Sequence, residues 1–367
     1  MPKILFVTTN FENGAIPNIL LDLAPHWTAL GWDLHFLTLE PLPEGHASVN
    51  RCRSLGYPLE ALGVSAESTW GALWALGPAI RRIGPNLIST HLGRADVYVP
   101  WVKGRIPQVS TFHSVRKNAS RITQWGWKVS DGLVAHRTGV SQACLDSFYA
   151  DGFLHSPHSV IYNPIDAARL VPKRTAAEVR TFFGWDPSVR LLVAVGRLVP
   201  LKGHYDLVKA FARLAPQNPD LRLVIAGEGP LSLQLPHLVA GFLMTGRIKL
   251  AGSWEGVADL YNAADLLVFP SHWEGLGLVP LEALACGCPV ASSRLPAVAE
   301  FLTEGVNGRF FEPANPTDLA RVVADILAAP EVAKAQAARG REMVLERFAP
   351  APIAKQYDAV FRKVLVG

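Results

Sequence analysis

Asp265-Leu-Leu-Val-Phe-Pro270, then Glu274-Gly-Leu-Gly-Leu-Val-Pro-Leu-Glu282, running on into Leu281-Glu-Ala-Leu-Ala-Cys286, decides the fold. The first segment is an apolar run of strand length and the last has the look of a helix, so the stretch reads as strand, glycine loop, helix. Gly275 and Gly277 prevent a continuous helix across the loop and leave N–H groups that a phosphate or sugar oxygen can approach. Pro280 suits a first helical turn, which would place Glu282 within that turn, at the end of the dipole that favours negative charge. Glu274 and Glu282 then lie near the carboxyl end of a strand, where open α/β sheets hold their ligands. Singly, Glu282 would serve equally as a dipole partner and Glu274 as a loop acid; their pairing across a glycine loop favours a site.

A second unit of the same kind lies upstream. Leu191-Leu-Val-Ala-Val195 is followed by Gly196-Arg197-Leu-Val-Pro-Leu-Lys202-Gly203 and a helical pattern from His204. A glycine turn with Arg197 and Lys202 leading into a helix suits an anion, because guanidinium, ammonium and unpaired N–H groups converge there. It lacks the Gly-Lys-Ser/Thr of nucleotide-hydrolase phosphate loops.

The first half alternates as well. Lys3 to Thr8, Trp32 to Leu39, Asn86 to Ser89, Gln108 to Phe112, Leu133 to Ala135 and Ser159 to Tyr162 read as strands with helical stretches between several of them, the signature of a doubly wound parallel sheet. At 367 residues and 49% hydrophobic composition the chain suits two domains. Asn163-Pro-Ile-Asp166 to Pro172-Lys-Arg174 is the linker candidate. No apolar run approaches the roughly 18 to 20 residues that cross a bilayer, and the N-terminus enters a strand directly, so a cytoplasmic protein is expected. Cys52, Cys144, Cys286 and Cys288 form no framework and read as reduced, buried residues.

The ordered series Gly196-Arg197 with Lys202-Gly203, Ala226-Gly-Glu-Gly-Pro230, Leu250-Ala-Gly252, Ala264-Asp265 through Pro270-Ser271, Glu274-Gly-Leu-Gly277, Glu282-Ala283, Gly287-Cys-Pro-Val290, Asn307-Gly308 and Phe311-Glu-Pro313 resembles the retaining, sugar-nucleotide-dependent glycosyltransferases of the GT-B fold, family four. The resemblance is dense from about residue 190 to 313 and looser before. It implies an α/β protein of two Rossmann-like doubly wound domains facing an interdomain cleft. Residues 1–168 would bind the acceptor and 169–351 the donor, with a last helix, about 352–367, crossing back onto the first domain.

The resemblance also implies roles. Arg197 and Lys202, with backbone groups of Gly275, Leu276, Gly277 and Leu278, would meet the diphosphate of a UDP- or GDP-sugar. Glu274 would hold hydroxyls of the transferred sugar, Glu282 the ribose, and the backbone of Ser253 and Trp254 the base. Relatives place a histidine beside the sugar, here His113, although Ser114 stands where they usually carry an acid. They often carry a glycine pair after the first strand. This chain has Asn13-Gly14, so Gly14 would face the donor and Asn13 the acceptor, with His91 as a second acceptor candidate. Pro164 replaces the glycine of an Asn-Gly-x-Asp motif, which leaves Asn163 and Asp166 a structural role. No cofactor is expected and no Asp-x-Asp metal clamp is present. The carboxylates are expected to bind rather than act as the acid and nucleophile of a glycosidase.

Two other readings remain: a non-catalytic nucleotide-sugar-binding scaffold of a glycan-assembly complex, and a GT-B nucleotide-sugar epimerase. Intact Glu274, Glu282, Arg197 and Lys202 argue against the first, and the ordered motifs against the second.

Net charge is only +4, yet between Arg94 and Arg137 eight Lys or Arg face two Asp, with Trp101, Trp125 and Trp127 among them. Arg116, Lys117, Arg121, Trp125 and Lys128 read either as a patch for an anionic membrane surface or as a solvated basic face over core tryptophans. The first would place the protein peripherally at the cytoplasmic face of the inner membrane with a glycan or lipid-linked acceptor. No nucleic-acid motif is present.

Overall fold

The computed structural model describes residues 1–366 apart from 13, 43, 44, 66, 67 and 92. It divides into two compact units, Met1–Pro164 with Pro350–Gly367, and Ile165–Ala349. Ile165 is buried and donates its N–H to the Phe348 carbonyl at 2.7 Å, which ties it to the second unit.

The first unit is a parallel sheet of β1 (Lys3–Thr8), β2 (Asp33–Thr38), β3 (Leu59–Ala61), β4 (Leu87–His91), β5 (Gln108–Phe112), β6 (His136–Gly139) and β7 (His158–Val160), in the order β3-β2-β1-β4-β5-β6-β7. Its central strands are apolar at successive positions because helices cover both faces. Leu5, Val7 and Ile88 pack with Leu76, Ile80 and Val99 of the helices Thr69–Ile83 and Gly93–Val102. One residue out of phase, Phe6 stacks on Trp27 at 4.8 Å and meets Phe361 edge-on, from the helices Ala15–Ala29 and Pro350–Val366. Trp27 and Trp32 donate their indole N–H groups to the Ala354 carbonyl and the Asp358 carboxylate, so the last helix belongs to this unit.

Two strands depart from expectation: β3 has no counterpart among the expected strands, and β6 is displaced. Leu133 to Ala135 is not a strand: a 3₁₀ turn covers Asp131–Leu133, and β6 begins at His136. β6 is buried throughout yet carries His136, Arg137 and Thr138, which is why its sequence does not read as a strand. Each finds a partner: His136 pairs with Ser159, Arg137 with Asp131 and Ser110, and Thr138 with Thr111. Buried polar groups that are paired in this way cost little.

The second unit is a six-stranded parallel sheet of β8 (Arg190–Val195), β9 (Leu221–Ala226), β10 (Ile248–Gly252), β11 (Leu266–Phe269), β12 (Val290–Ser293) and β13 (Arg309–Phe311), in the order β10-β9-β8-β11-β12-β13. Leu192, Ala194, Ile225 and Val268 pack with Phe211 and Val323 on one face, from the helices His204–Leu214 and Pro316–Ala328. In each sheet the winding reverses beside the first strand, between β1 and β4 and between β8 and β11. Loops leaving such paired strands diverge and open a crevice for ligand. All four cysteines are free thiols, and burial pushes those of Cys52 and Cys286 up to about 11.

Candidate functional site

In the second unit the loops after β8 and β11 are locked together at the switch point. Gly203, at φ +66°, lies so close to β11's exit that a Cβ would sit 2.0 Å from the Pro270 carbonyl oxygen, so only glycine fits. His272 donates its backbone N–H to the Leu201 carbonyl at 2.8 Å, and its Nε2 lies 2.9 Å from Asp206. These contacts bring Lys202 and Glu274, far apart in sequence, to Nζ···Oε1 2.6 Å, with side chains only 18% and 13% exposed. Arg197 is exposed and forms no ion pair among the described residues.

Gly277 caps the helix Leu278–Ala285 at φ +97°, with no side-chain cap. Pro280 brings no N–H, so the free donors of this helix start are those of Leu278 and Val279, which take no partner among the described residues. Leu276 is buried. Glu282 does not lie in the first turn, as expected, because that turn begins at Leu278 and contains no acid. It sits one position further along and accepts from the Tyr261 hydroxyl at 2.9 Å. Tyr261 is 1% exposed, and burial with the adjacent Glu282 charge pushes its phenol far up, so it is a permanent donor. Nothing in the sequence singled out Tyr261, which reads as a core residue of the helix Val257–Ala263.

After β10, Ser253 already donates its backbone N–H to Glu228 at 3.3 Å, which occupies one of the groups expected to read a base. The Trp254 indole turns into an aromatic cluster, stacked on Phe183 at 5.3 Å with Arg174 5.2 Å from its ring, beside an open pocket of about 580 Å³. Of these two residues, the backbone of Trp254 and the Ser253 carbonyl are what remain for a ligand.

In the first unit, Gly14 caps the helix Ala15–Ala29 in an extended conformation. Among the described residues an added Cβ would meet only the Glu12 carbonyl, at 3.9 Å, so no close contact among them demands glycine there. Asn13 lies outside the described residues. His91, at the end of β4, is not an acceptor contact: it is 1% exposed and both ring nitrogens are taken. Its Nε2 lies 3.0 Å from Ser89 Oγ and its Nδ1 2.9 Å from Nε2 of His113, just past β5. Burial holds both imidazoles below their ordinary range, His113 at about 4 and His91, helped by His113, well below. Both are therefore neutral near pH 7. His113 Nδ1 is buried and has no partner among the described residues.

The basic segment is sorted by the fold. Arg116 is not free for a surface, because Asp151 binds both its terminal nitrogens, at 3.0 and 2.6 Å, and Phe153 lies under it. Trp127 is core, against Phe112 and Phe148. The helix Arg121–Val129 nonetheless exposes Arg121, Ile122, Trp125, Lys128 and Val129 along one side, with Trp125 67% exposed, and Lys117 is exposed nearby.

Known proteins share this architecture. HepE of Anabaena, solved with UDP-glucose, superimposes with a TM-score of 0.86 at 20% identity over 99% of this chain and 100% of that one. Sucrose-phosphate synthase of Thermosynechococcus elongatus gives 0.83 at 20% identity over the whole of both. At that identity the likeness establishes the GT-B fold. By sequence, the chain is 28% identical over 238 residues to N-acetyl-alpha-D-glucosaminyl L-malate synthase of Bacillus anthracis, 62% of each. It is 35% identical over 158 residues to the lipopolysaccharide core biosynthesis mannosyltransferase LpsB of Rhizobium meliloti, 42% of this chain and 45% of that one. It thus spans between 45 and 62% of the length of these relatives. Residues 16–169 match the profile Glycosyltransferase Family 4 and residues 177–343 the profile Glycosyl transferases group 1, and on a GT-B fold that match places the chain in family four of the glycosyltransferases.

Proposed function

We propose that the protein transfers a sugar from a UDP- or GDP-sugar to a hydroxyl acceptor with retention at the anomeric carbon, the acceptor being a lipid-linked or cell-surface glycan precursor. The observation that carries this reading is the Lys202–Glu274 pair, held in a shielded position at the second unit's switch point. As the bond from the anomeric carbon to the diphosphate breaks, negative charge grows on the leaving phosphate. Lys202, held by Glu274, would meet that charge as it develops, together with Arg197 and the free N–H groups of Leu278 and Val279. Glu274, tethered by Lys202, offers acceptor oxygens to hydroxyls of the sugar, and Glu282, held by Tyr261, offers the same to the ribose. His113 serves the transferred sugar. On this reading protein cations do the work of a metal. Among the described residues no three His, Cys, Asp or Glu converge as a metal cluster, and no helix is long and apolar enough to cross a membrane. The exposed side of Arg121–Val129 suits a bilayer surface, which would keep the protein peripheral on the cytoplasmic leaflet.

The test is release of nucleotide diphosphate from UDP- and GDP-sugars with an acceptor panel, in excess chelator. Turnover that Lys202→Ala lowers by about 10²- to 10³-fold is expected. A requirement for added Mg²⁺ or Mn²⁺ would sink the metal-free mechanism. Binding without turnover across the panel would favour the scaffold.

A further inference from the structure

Three neighbouring helices of the first unit, Thr69–Ile83, Gly93–Val102 and Arg121–Val129, each present tryptophan to solvent. Trp70 and Trp74, one turn apart on the first, are 75% and 79% exposed, while Leu76, Ala79, Ile80 and Ile83 of the same helix pack against the sheet. Trp101 is exposed near the end of the second helix, and Ile122, Trp125 and Val129 are exposed on the third. The crests adjoin. A Cβ on Gly77, one turn beyond Trp74, would lie 3.7 Å from the Cβ of Val102, the residue after Trp101. A Cβ on Gly126, the residue after Trp125, would lie 2.6 Å from Val97, one turn before Trp101. Charge on these elements is one-sided. Across residues 69–83, 93–107 and 121–129 the one acid is Asp96, which is buried. Arg81, Arg105, Arg121 and Lys128 are exposed and form no ion pair among the described residues.

We propose that this three-helix face, anchored by Trp70 and Trp74, seats the first unit on the surface of an anionic phospholipid leaflet. It extends the contact proposed for Arg121–Val129; the lipid-linked acceptor rests on the proposed function, whereas the seating does not depend on sugar transfer. A contiguous apolar surface of this kind marks an interaction site, unlike singly scattered exposed residues. Tryptophan suits headgroup depth, where its ring meets the acyl boundary and its indole N–H stays hydrated. The cations beside it favour phosphate-bearing headgroups, and no exposed carboxylate on these helices opposes them. Helix crests are convex, a shape that a deformable leaflet can follow. Position supplies the functional consequence. The helix Thr69–Ile83 crosses from β3 to β4 in a parallel sheet, so it runs antiparallel to the strands. Its first turns, which carry Trp70 and Trp74, therefore lie toward the carboxyl ends of the strands. Insertion there brings the leaflet to the edge of the sheet that carries the ligand crevice, where an acceptor held in the bilayer by its lipid would be presented.

Co-sedimentation of the full chain with phosphatidylcholine vesicles, with and without an equimolar share of phosphatidylglycerol, tests the seating. Wild type should bind the anionic vesicles and be released by salt. Trp70→Ala/Trp74→Ala should weaken that binding at least about tenfold, because two aromatic rings leave the apolar boundary. Arg81→Glu/Arg105→Glu should weaken it at least as much. All four positions are exposed, so melting temperatures should stay at the wild-type value. Lipid brominated in the upper acyl chain should quench tryptophan fluorescence more in wild type than in Trp70→Ala/Trp74→Ala. Vesicle binding that survives intact in Trp70→Ala/Trp74→Ala overturns the proposal, as does failure to bind either vesicle. A dimer that this variant abolishes, without vesicle binding, assigns the face to a second copy of the chain and overturns it too. Release of nucleoside diphosphate with a water-soluble acceptor should be unchanged in the variant. If vesicle binding behaves as described but no nucleotide sugar is turned over, the glycosyltransferase reading fails and the membrane face stands.

Discussion

Replacing Lys202 by methionine separates what the Lys202–Glu274 pair does for stability from what it does for chemistry. The two side chains are 18% and 13% exposed and their charged atoms are 2.6 Å apart. Removing the cation leaves Glu274 as a mostly buried, unpaired carboxylate, a change worth about 3 kcal/mol, the low end of the range for buried pairs because some exposure remains. For a unit of this size about 2–4 °C of melting temperature accompanies each kcal/mol, so Lys202→Met should melt about 6–12 °C lower by calorimetry. Glu274→Gln should behave similarly, because it strands the ammonium. The double variant Lys202→Met/Glu274→Gln has no charge left to strand and should return to within about 1 kcal/mol of wild type. Activity should not return: every variant should stay about 10²- to 10³-fold down in kcat, since the cation facing the leaving group is gone or its tether to Glu274 is lost. Stability rescued without activity marks a pair retained for function. Single variants as stable as wild type, or a double variant whose losses simply add, would refute the coupling.

Tyr261→Phe deletes the donor that fixes Glu282; a lost bond to a charged acceptor, about 1.5–3 kcal/mol, should raise the donor KM at least tenfold with kcat little changed, checked by steady-state kinetics. Asp96 is fully buried, accepts from Ser110 at 2.8 Å, and burial pushes its carboxyl up to about 6. Because the folded pKa is raised, its contribution to stability is fully present below the ordinary carboxylate range and is lost as pH rises through about 6. Asp96→Asn should therefore gain on wild type across that window, by at most about 3 kcal/mol at pH 7, and parallel urea-unfolding curves at pH 4 and 7 would contradict it. Trp125→Ala and Lys128→Glu should weaken sedimentation with anionic vesicles, the lysine by about 1 kcal/mol for the lost charge and more for its reversal, and the binding should fall with salt. Equal recovery in the supernatant with and without vesicles would remove the membrane contact.

Strands such as β1 and β8 were legible because they are short, near-continuous apolar runs beside helical periods, and β1 and β5 fall where the sequence places them. β6 was not: its inward residues are His136, Arg137 and Thr138, and only their partners, contributed by other elements, make them core. The same distinction runs through the site. Arg197, Lys202 and Glu274 stand in glycine loops beside strand ends and Glu282 in the helix that follows one, a pattern visible in one dimension. Tyr261 and Ser89 act through contacts with residues on other turns or positions, and periodicity sees them as ordinary interior. His91 shows the limit from the other side. Its place at a strand end suggested a ligand contact, but burial and two occupied ring nitrogens make it a support for His113.

The two switch points use one local device to different ends. One helix beside each switch point begins Gly-x-x-Pro: Gly14-Ala-Ile-Pro17 after β1 in the first unit and Gly277-Leu-Val-Pro280 after β11 in the second. Proline at the third helical position removes one orphan N–H and leaves two at the helix start to greet a ligand. What surrounds those donors differs. At the second unit's crevice stand Arg197 and Lys202, so an anion gains Coulomb energy beyond what the helix start supplies. At the first unit's, Glu12 lies in the loop after β1 and Arg94, paired with Glu40 at 2.9 Å, follows β4, beside His91 and His113, which burial keeps uncharged.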